Sequence, residues 1–325
     1  MKLGIYGYGN IGKGVELACQ QNSDIELFGI FTRRDKNTVK SILGTKVYNA
    51  AEAINFKNEI DVMVVCGGSA TELPTMTPEL AKDFNVIDTF DTHANIYEHF
   101  HSVDKIAREN NHIALISCGW DPGMFSLNRL YANVLLPNGT DYTFWGRGIS
   151  QGHSDAIRRI KGVIDAKQYT VPVESNVNRI LAGETLKLTT REKHIRECYV
   201  VIENDSEKDR IENEIKTMPN YFDEYDTYVH FITLDELKKN HSEMPHAGFV
   251  IRTGTTGKDN EHKHTISYNL KLDSNPEFTA AVVVAFSRAL YKEKKQGTIG
   301  CLTVLDIRPR DLYNGNYDEL LRHFV

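Results

Sequence analysis

The chain has 325 residues, 41% hydrophobic and 25% charged, which is the balance of an ordinary folded protein with a substantial core rather than a disordered or fibrous chain. Its 38 Lys and Arg against 44 Asp and Glu leave a net charge of −6, which argues against nucleic acid or an anionic membrane as the main partner. At about 150 residues per domain, two domains or one core with a large insertion are expected.

The first third predicts alternating strands and helices. Leu3 to Tyr6 is a short apolar run that stops at Gly7, and Ile11, Val15 and Ala18 then recur at the spacing of an inward helix face. Ile25 to Phe31, Val62 to Val65, Val86 to Ile87 and Ile113 to Ser117 are the further strands, with helical segments such as Tyr97 to Asn110 between them. This alternation predicts an α/β fold with a doubly wound parallel sheet covered on both faces. After about Trp120 the texture changes. Tyr142 to Trp145, Cys198 to Glu203, Thr227 to Ile232, Phe249 to Thr253 and Thr265 to Leu272 predict an antiparallel α+β layer. A long helix over Phe278 to Lys292, opened by Pro276 and Glu277, is expected to return to the first domain.

The five cysteines show no C-x-x-C spacing, so neither a zinc site nor a disulfide framework is expected, and no other metal is called for. The start, Met1 to Ile5, lacks the apolar stretch of a signal peptide. The longest apolar run, Ala280 to Phe286, falls far short of the ~20 residues that span a bilayer. A reduced, cytoplasmic protein without a membrane partner is expected.

Gly7-Tyr8-Gly9-Asn10-Ile11-Gly12 fits G-x-G-x-x-G between the first strand and the first helix, the context a dinucleotide site requires. The glycines allow a tight turn and close approach to a pyrophosphate, and the helix N-terminus offers it free N–H groups. Where an NAD site would carry an acidic ribose reader stand Thr32, Arg33 and Arg34, which suit a 2′-phosphate and so favour NADP. The alternative is a solvated basic loop with Asp35 on the ribose. Cys66, Gly67, Gly68 and Ser69, after the third strand, are small enough for a cofactor to approach, and equally suit a plain strand-to-helix turn.

Three segments carry more functional side chains than core strands need: Asp88 to His93, Cys118 to Met124 and Trp145 to Asp155. Ligands of open α/β sheets bind at the carboxyl ends of the strands, which places Asp91 and Asp121 toward the nicotinamide side, with Thr89 and Phe90 also expected along the cofactor. The plainer reading makes both aspartates turn caps, and Ser154 and Asp155 caps of a helix carrying Arg158 and Arg159.

Gly7 to Gly12, Phe31 to Arg34, Ser150 to Arg159, Met244 to Gly248 and above all Gly119-Trp120-Asp121-Pro122-Gly123-Met124-Phe125-Ser126 resemble the meso-diaminopimelate D-dehydrogenase family, a similarity running from Met1 to the last helix. The resemblance implies a Rossmann-type NADP-binding domain (1–120 with about 277–325) and a substrate-binding and dimerisation domain (121–276). It implies NADP-dependent oxidative deamination of the D-centre of meso-2,6-diaminopimelate by a homodimer. Asp91 and Asp121 would then hold the reacting amino group and serve as candidates for proton transfer. Trp145, Gln151, Gly152 and Thr170 would line the substrate pocket, and Arg196, His246 and Asn275 would bind carboxylate and the distal L-centre. One departure is visible: Ala247 stands where glycine is expected, so a backbone closeness or a positive φ beside His246 is in question. The bottom-up chemistry agrees, because a substrate with two ammonium and two carboxylate groups needs partners of both signs. A different two-domain NADP reductase, or a non-catalytic NADP sensor, is the competing reading.

Overall fold

The apolar run after Met1 forms strand β1 (Lys2–Tyr6), and it ends where Gly7 takes φ +97°, a conformation that side chains resist. In the computed structural model, which describes residues 1–325, the chain divides into two units, Met1–Leu127 with Pro276–Val325, and Asn128–Asn275.

In the first unit β1 leads into α1 (Asn10–Gln20), β2 (Glu26–Thr32), β3 (Val47–Asn49), β4 (Val62–Val65), α2 (Leu73–Leu80), β5 (Val86–Asp88), α3 (Ile96–Glu109) and β6 (Ile113–Leu115). The strands are parallel and their order across the sheet is β3-β2-β1-β4-β5-β6, extended by one late strand beyond β6. Side chains of a strand alternate between faces. Leu3, Ile5, Val62 and Val64 therefore join one buried cluster with Val15 and Ala18 of α1. Met63, Val65 and Phe31 join another, with Leu73 and Met76 of α2 and Val103 and Ala107 of α3. The expected doubly wound sheet is present.

The second unit takes in most of α4 (Met124–Leu135), then β7 (Gly139–Trp145), β8 (Gly148–Ile149), α5 (Gln151–Arg158), β9 (Val163–Pro172), α6 (Glu174–Leu181), α7 (Thr190–Lys193), β10 (His194–Ile202), α8 (Lys208–Lys216), β11 (Asp226–Phe231), α9 (Leu234–Asn240), β12 (His246–Thr256) and β13 (His262–Leu272). These strands form a four-stranded sheet, β11-β10-β9-β8, and a three-stranded sheet, β13-β12-β7. The layer is antiparallel as expected except at one edge, where β10 and β11 run parallel. The crossover through α8 accounts for that exception, since parallel neighbours need a long connection.

The chain then returns to the first unit in α10 (Asn275–Lys295), β14 (Gly300–Leu302), α11 (Pro309–Leu312) and α12 (Tyr317–Phe324). β14 is the seventh strand, parallel to β6. α10 approaches α1 closely: a Cβ on Gly14 would stand 2.9 Å from Ala280 Cβ. Arg288 of α10, nearly buried, pairs with Asp24 at 2.5 Å. No helix is long and apolar enough to cross a membrane, and all five cysteines are free thiols.

Candidate active site

The first unit builds a cradle at the end of β1. A Cβ on Gly7 would run into Cys66 O, and one on Gly12 into Gly7 O, whereas one on Gly9 would meet nothing within 4 Å. The outer two glycines thus close the turn, and the middle one leaves the backbone open to an approaching group. Gly9 is also the N-cap of α1 and has no side chain, so no capping side chain competes with a phosphate at the helix N-terminus. This donor set fits a dinucleotide pyrophosphate.

At the end of β2, Thr32 is buried, and its Oγ1 accepts from Arg34 N at 3.2 Å. Arg34 Nη2 donates to Tyr8 O at 2.7 Å, tying the arginine loop to the glycine turn. Arg33 pairs with Glu72, whose second oxygen accepts from Gly68 N at 2.7 Å. The Gly68 N–H and the Arg33 guanidinium hold the Glu72 carboxyl below its usual range. Asp35 turns its carboxylate onto Asn37 N at 3.0 Å and caps the short turn Lys36–Thr38. Burial pushes the Cys66 thiol up to about 12, so it is uncharged at neutral pH.

Asp91 and Asp121 stand on the loops that follow β5 and β6, neighbouring strands of the sheet. Asp91 is exposed, and its N–H donates to Ser69 Oγ at 2.8 Å, which in turn lies 3.2 Å from Thr92 Oγ1. Asp121 is half-buried, between Trp120, whose ring meets Phe125 edge-on at 5.3 Å, and a cis peptide to Pro122. Gly123 (φ +127°) follows, where a Cβ would collide with Gly119 O. Phe90 is different: the residue is 1% exposed, its ring stacks on His99 at 4.2 Å, and its N–H donates to Asp88 Oδ1. The ring belongs to the core.

In the second unit, the register pairs Arg196 of β10 with Thr170 of β9, and Arg196 Nη1 donates to Thr170 Oγ1. The guanidinium lies 3.7 Å over the Tyr225 ring and is 6% exposed, while its Nε has no protein partner. Burial lowers its affinity for the proton, and an arginine still stays charged there. Two positions along β10, His194 Nε2 accepts from Trp145 N at 2.8 Å and the two rings stack. Burial and the Arg196 charge push His194 down to about 3, which keeps it a neutral acceptor. His153 is pushed down to about 4 by the same two causes and meets Ser150 Oγ at 2.7 Å. Gln168, fully buried and two residues before Thr170, has neither amide atom paired.

Gln151 and Gly152 open α5 on the surface, and Gln151 Nε2 reaches Met244 Sδ at 3.7 Å. The His246 ring packs against Gly148, where a Cβ would strike it. Its Nδ1 lies 3.0 Å from Ala247 N and 2.9 Å from Ala247 O, which turns Nε2 away from that backbone. Ala247 sits in regular β12 pairing opposite Lys271 and is not among the positive-φ residues. The extra methyl imposes no backbone strain. Asn275 N donates to Met244 O at 2.9 Å, which brings Asn275 to the segment ahead of His246.

Two expectations are corrected. Asp155 and Ser154 do not cap α5: Ser150 is the N-cap, accepting from His153 N, and Asp155 lies within the helix paired with Arg158. Ser154 instead donates to Ser150 O and accepts from Gln168 N. Tyr225, His153, His194 and Gln168 were not expected at the site. Alternation along β10 puts His194 on the face of Arg196, a signal the sequence does contain; nothing in it marks Tyr225.

The sequence profile of the diaminopimelic acid dehydrogenase C-terminal domain matches residues 119–274. The meso-diaminopimelate D-dehydrogenase of Acetivibrio thermocellus is 58% identical, over 100% of this chain and 98% of its own. The Corynebacterium glutamicum diaminopimelate dehydrogenase, solved in complex with diaminopimelate, superposes with a TM-score of 0.93 at 42% identity, covering 100% of this chain and 99% of the other. An engineered D-amino acid dehydrogenase bound to NADP+ gives 0.88 at 41% identity, with the same coverage. Full-length identity at this level, with the cradle and the aspartate loops in place, establishes that the chain is an oxidoreductase and belongs to the meso-diaminopimelate D-dehydrogenase family.

Proposed function

We propose that the protein catalyses the NADP-dependent oxidative deamination of the D-centre of meso-2,6-diaminopimelate. Water and NADP+ are consumed, and L-2-amino-6-oxopimelate, ammonium, NADPH and a proton are released. The product cyclises to tetrahydrodipicolinate, so the reverse direction would supply a lysine and cell-wall precursor. The observation that carries this reading is the placement of Asp91 and Asp121 on loops after adjacent strands of a sheet that also bears the glycine cradle.

When bound, the nicotinamide supplies the hydride acceptor for the substrate Cα–H. Asp91 and Asp121 bind the D-ammonium group, orient Cα, and one of them moves the proton as water adds to the substrate imine. Arg196, with Thr170 fixing its orientation and Tyr225 beneath it, takes a carboxylate. His246 and Asn275 complete the distal L-centre, and Trp145, Gln151 and Gly152 line the pocket. Gly7, Tyr8, Gly9, Asn10, Ile11 and Gly12 hold the pyrophosphate. Thr32, Arg33 and Arg34 read the 2′-phosphate, with Cys66 to Ser69 and the Thr89–Asp91 backbone alongside. Support for NADP comes from the NADP+ complex of the engineered relative and from Asp35, whose carboxylate is spent on its own turn.

On this reading residues 1–120 with about 277–325 bind NADP, and 121–276 bind substrate and form a homodimer. Leu130, Tyr131, Val134 and Leu135 leave apolar surface exposed at the end of α4, which supports a partner there. Five free thiols suit a reducing cytoplasm. NADPH formation with meso-diaminopimelate tests the activity, and equilibrium sedimentation tests the dimer.

A further inference from the structure

Asp88 closes β5 with no exposed surface, and both of its carboxylate oxygens are fully used. Oδ1 accepts from Phe90 N at 3.1 Å and from Ser117 N at 2.9 Å. Oδ2 accepts from Thr77 Oγ1 at 2.7 Å and lies 2.7 Å from His99 Nε2. The main chain adds a fifth bond, Cys118 N to Asp88 O at 2.9 Å. Phe90 immediately precedes Asp91, and Ser117 opens the loop that leads to Asp121. Ser117 is held at φ +55°, a left-handed conformation that serine seldom adopts, and its N–H points at this carboxylate.

One buried side chain is thus bonded to the loop of each aspartate, while α2 and α3 hold its other oxygen. We propose that Asp88 is the positioning residue that sets Asp91 and Asp121 in mutual register for the reaction, with His99 as its anchor. The inference rests on the roles given above to those two aspartates. His99 acts on the same loop twice, through Oδ2 and through its stack on the Phe90 ring. An asparagine at 88 could keep its oxygen on the two loop N–H groups while Thr77 Oγ1 and His99 Nε2 turn to accept from its NH2. A leucine has a similar shape and offers no acceptor to either loop.

The test compares wild type with Asp88→Leu and with Ile215→Ala, a truncation in the buried face of α8 whose core cluster includes neither loop. Asp88→Leu is expected to lower kcat with meso-diaminopimelate by about 10- to 100-fold, the scale of a sub-ångström to 1 Å misplacement. Its dissociation constant for NADPH, read by fluorescence titration, should stay within about twofold. Ile215→Ala should lose stability and keep kcat within about twofold. Amide hydrogen exchange should quicken in segments 89–92 and 116–123 of Asp88→Leu and not of Ile215→Ala. That readout holds even if wild type fails to oxidise meso-diaminopimelate, in which case the functional reading falls separately. Should Asp88→Leu not fold, His99→Gln, which keeps a donor and loses the ring stack, is expected to show the same kcat loss and faster exchange. A folded Asp88→Leu, or failing it His99→Gln, with kcat within twofold of wild type and unchanged exchange overturns the proposal. So does an Ile215→Ala enzyme that loses as much kcat.

Discussion

Asp121 stands between a tryptophan and a Pro-Gly turn, a place where a carboxylate could serve either as turn residue or as ligand. Asp121→Asn separates the two, because it keeps the volume and removes the charge that anchors an ammonium group and accepts a proton. The expected outcome is a folded protein whose kcat falls by about 100- to 10,000-fold. Circular dichroism alongside steady-state kinetics checks it; near-normal kcat would leave Asp121 a turn residue. Arg196 presents the complementary case. Its guanidinium is buried on Tyr225 and bonded to Thr170, an orientation held before any substrate carboxylate arrives. Arg196→Met should weaken meso-diaminopimelate binding by about 2–5 kcal/mol, read as a raised KM, because the carboxylate would then be buried unpaired. It should also narrow the gap to D-amino acids that lack a second carboxylate. An equal loss on both substrate types would remove Arg196 from distal recognition.

At the scale of the elements, the β2–β3 connection is held from two sides. Arg34 ties it to the glycine turn, and Arg33 ties it to Glu72 ahead of α2. Replacing both arginines by alanine should weaken NADP binding by about 2–4 kcal/mol, with little change for NAD, because only a 2′-phosphate needs them. Unchanged coenzyme preference in steady-state kinetics would reassign the loop. Further along the same connection, Glu16 of α1 is buried and accepts from Tyr8 OH, from Ser41 Oγ at 2.5 Å, and from Ile42 N and Leu43 N at 3.1 and 3.2 Å. Burial would raise its carboxyl, but bonds from Ser41, Thr45 and Tyr8 hold it down to about 2, from an ordinary 4.5. A depressed acid stabilises the fold above its unfolded value and gives that up as pH falls toward its folded one. The stability Glu16 contributes is therefore complete above about pH 4.5 and is lost progressively toward about pH 2. The Tm gap between wild type and Glu16→Gln should accordingly be larger near pH 6 than near pH 3. A gap independent of pH would mean that folding does not shift the Glu16 carboxyl, and a gap that narrows as pH rises would mean that the fold holds it protonated.

Across the whole molecule, what could be read in the sequence is what is local. The Gly7–Gly12 turn, the arginine pair and the position of Asp91 after a strand depend on a few consecutive residues, and the doubly wound sheet follows from their alternation. The roles proposed for Arg196 and His246 come only through family resemblance. What escaped depends on pairing between distant segments. β9 mixes Lys167, Gln168 and Thr170 into a buried strand, β8 is two residues long, and the parallel edge of β10 and β11 has no signature in either strand. Tyr225 beneath Arg196 and Asp88 between two loops are products of the fold rather than of any motif. The central claim about the molecule is oxidation of one D-centre with NADP. NADPH formation by the purified protein, measured with meso-diaminopimelate, its L,L isomer and a simple D-amino acid, tests it most directly. Rapid NADPH formation with the meso compound, little with the simple D-amino acid and none with the L,L isomer is expected; turnover of the L,L isomer at a comparable rate, or no turnover of the meso compound, would overturn the assignment.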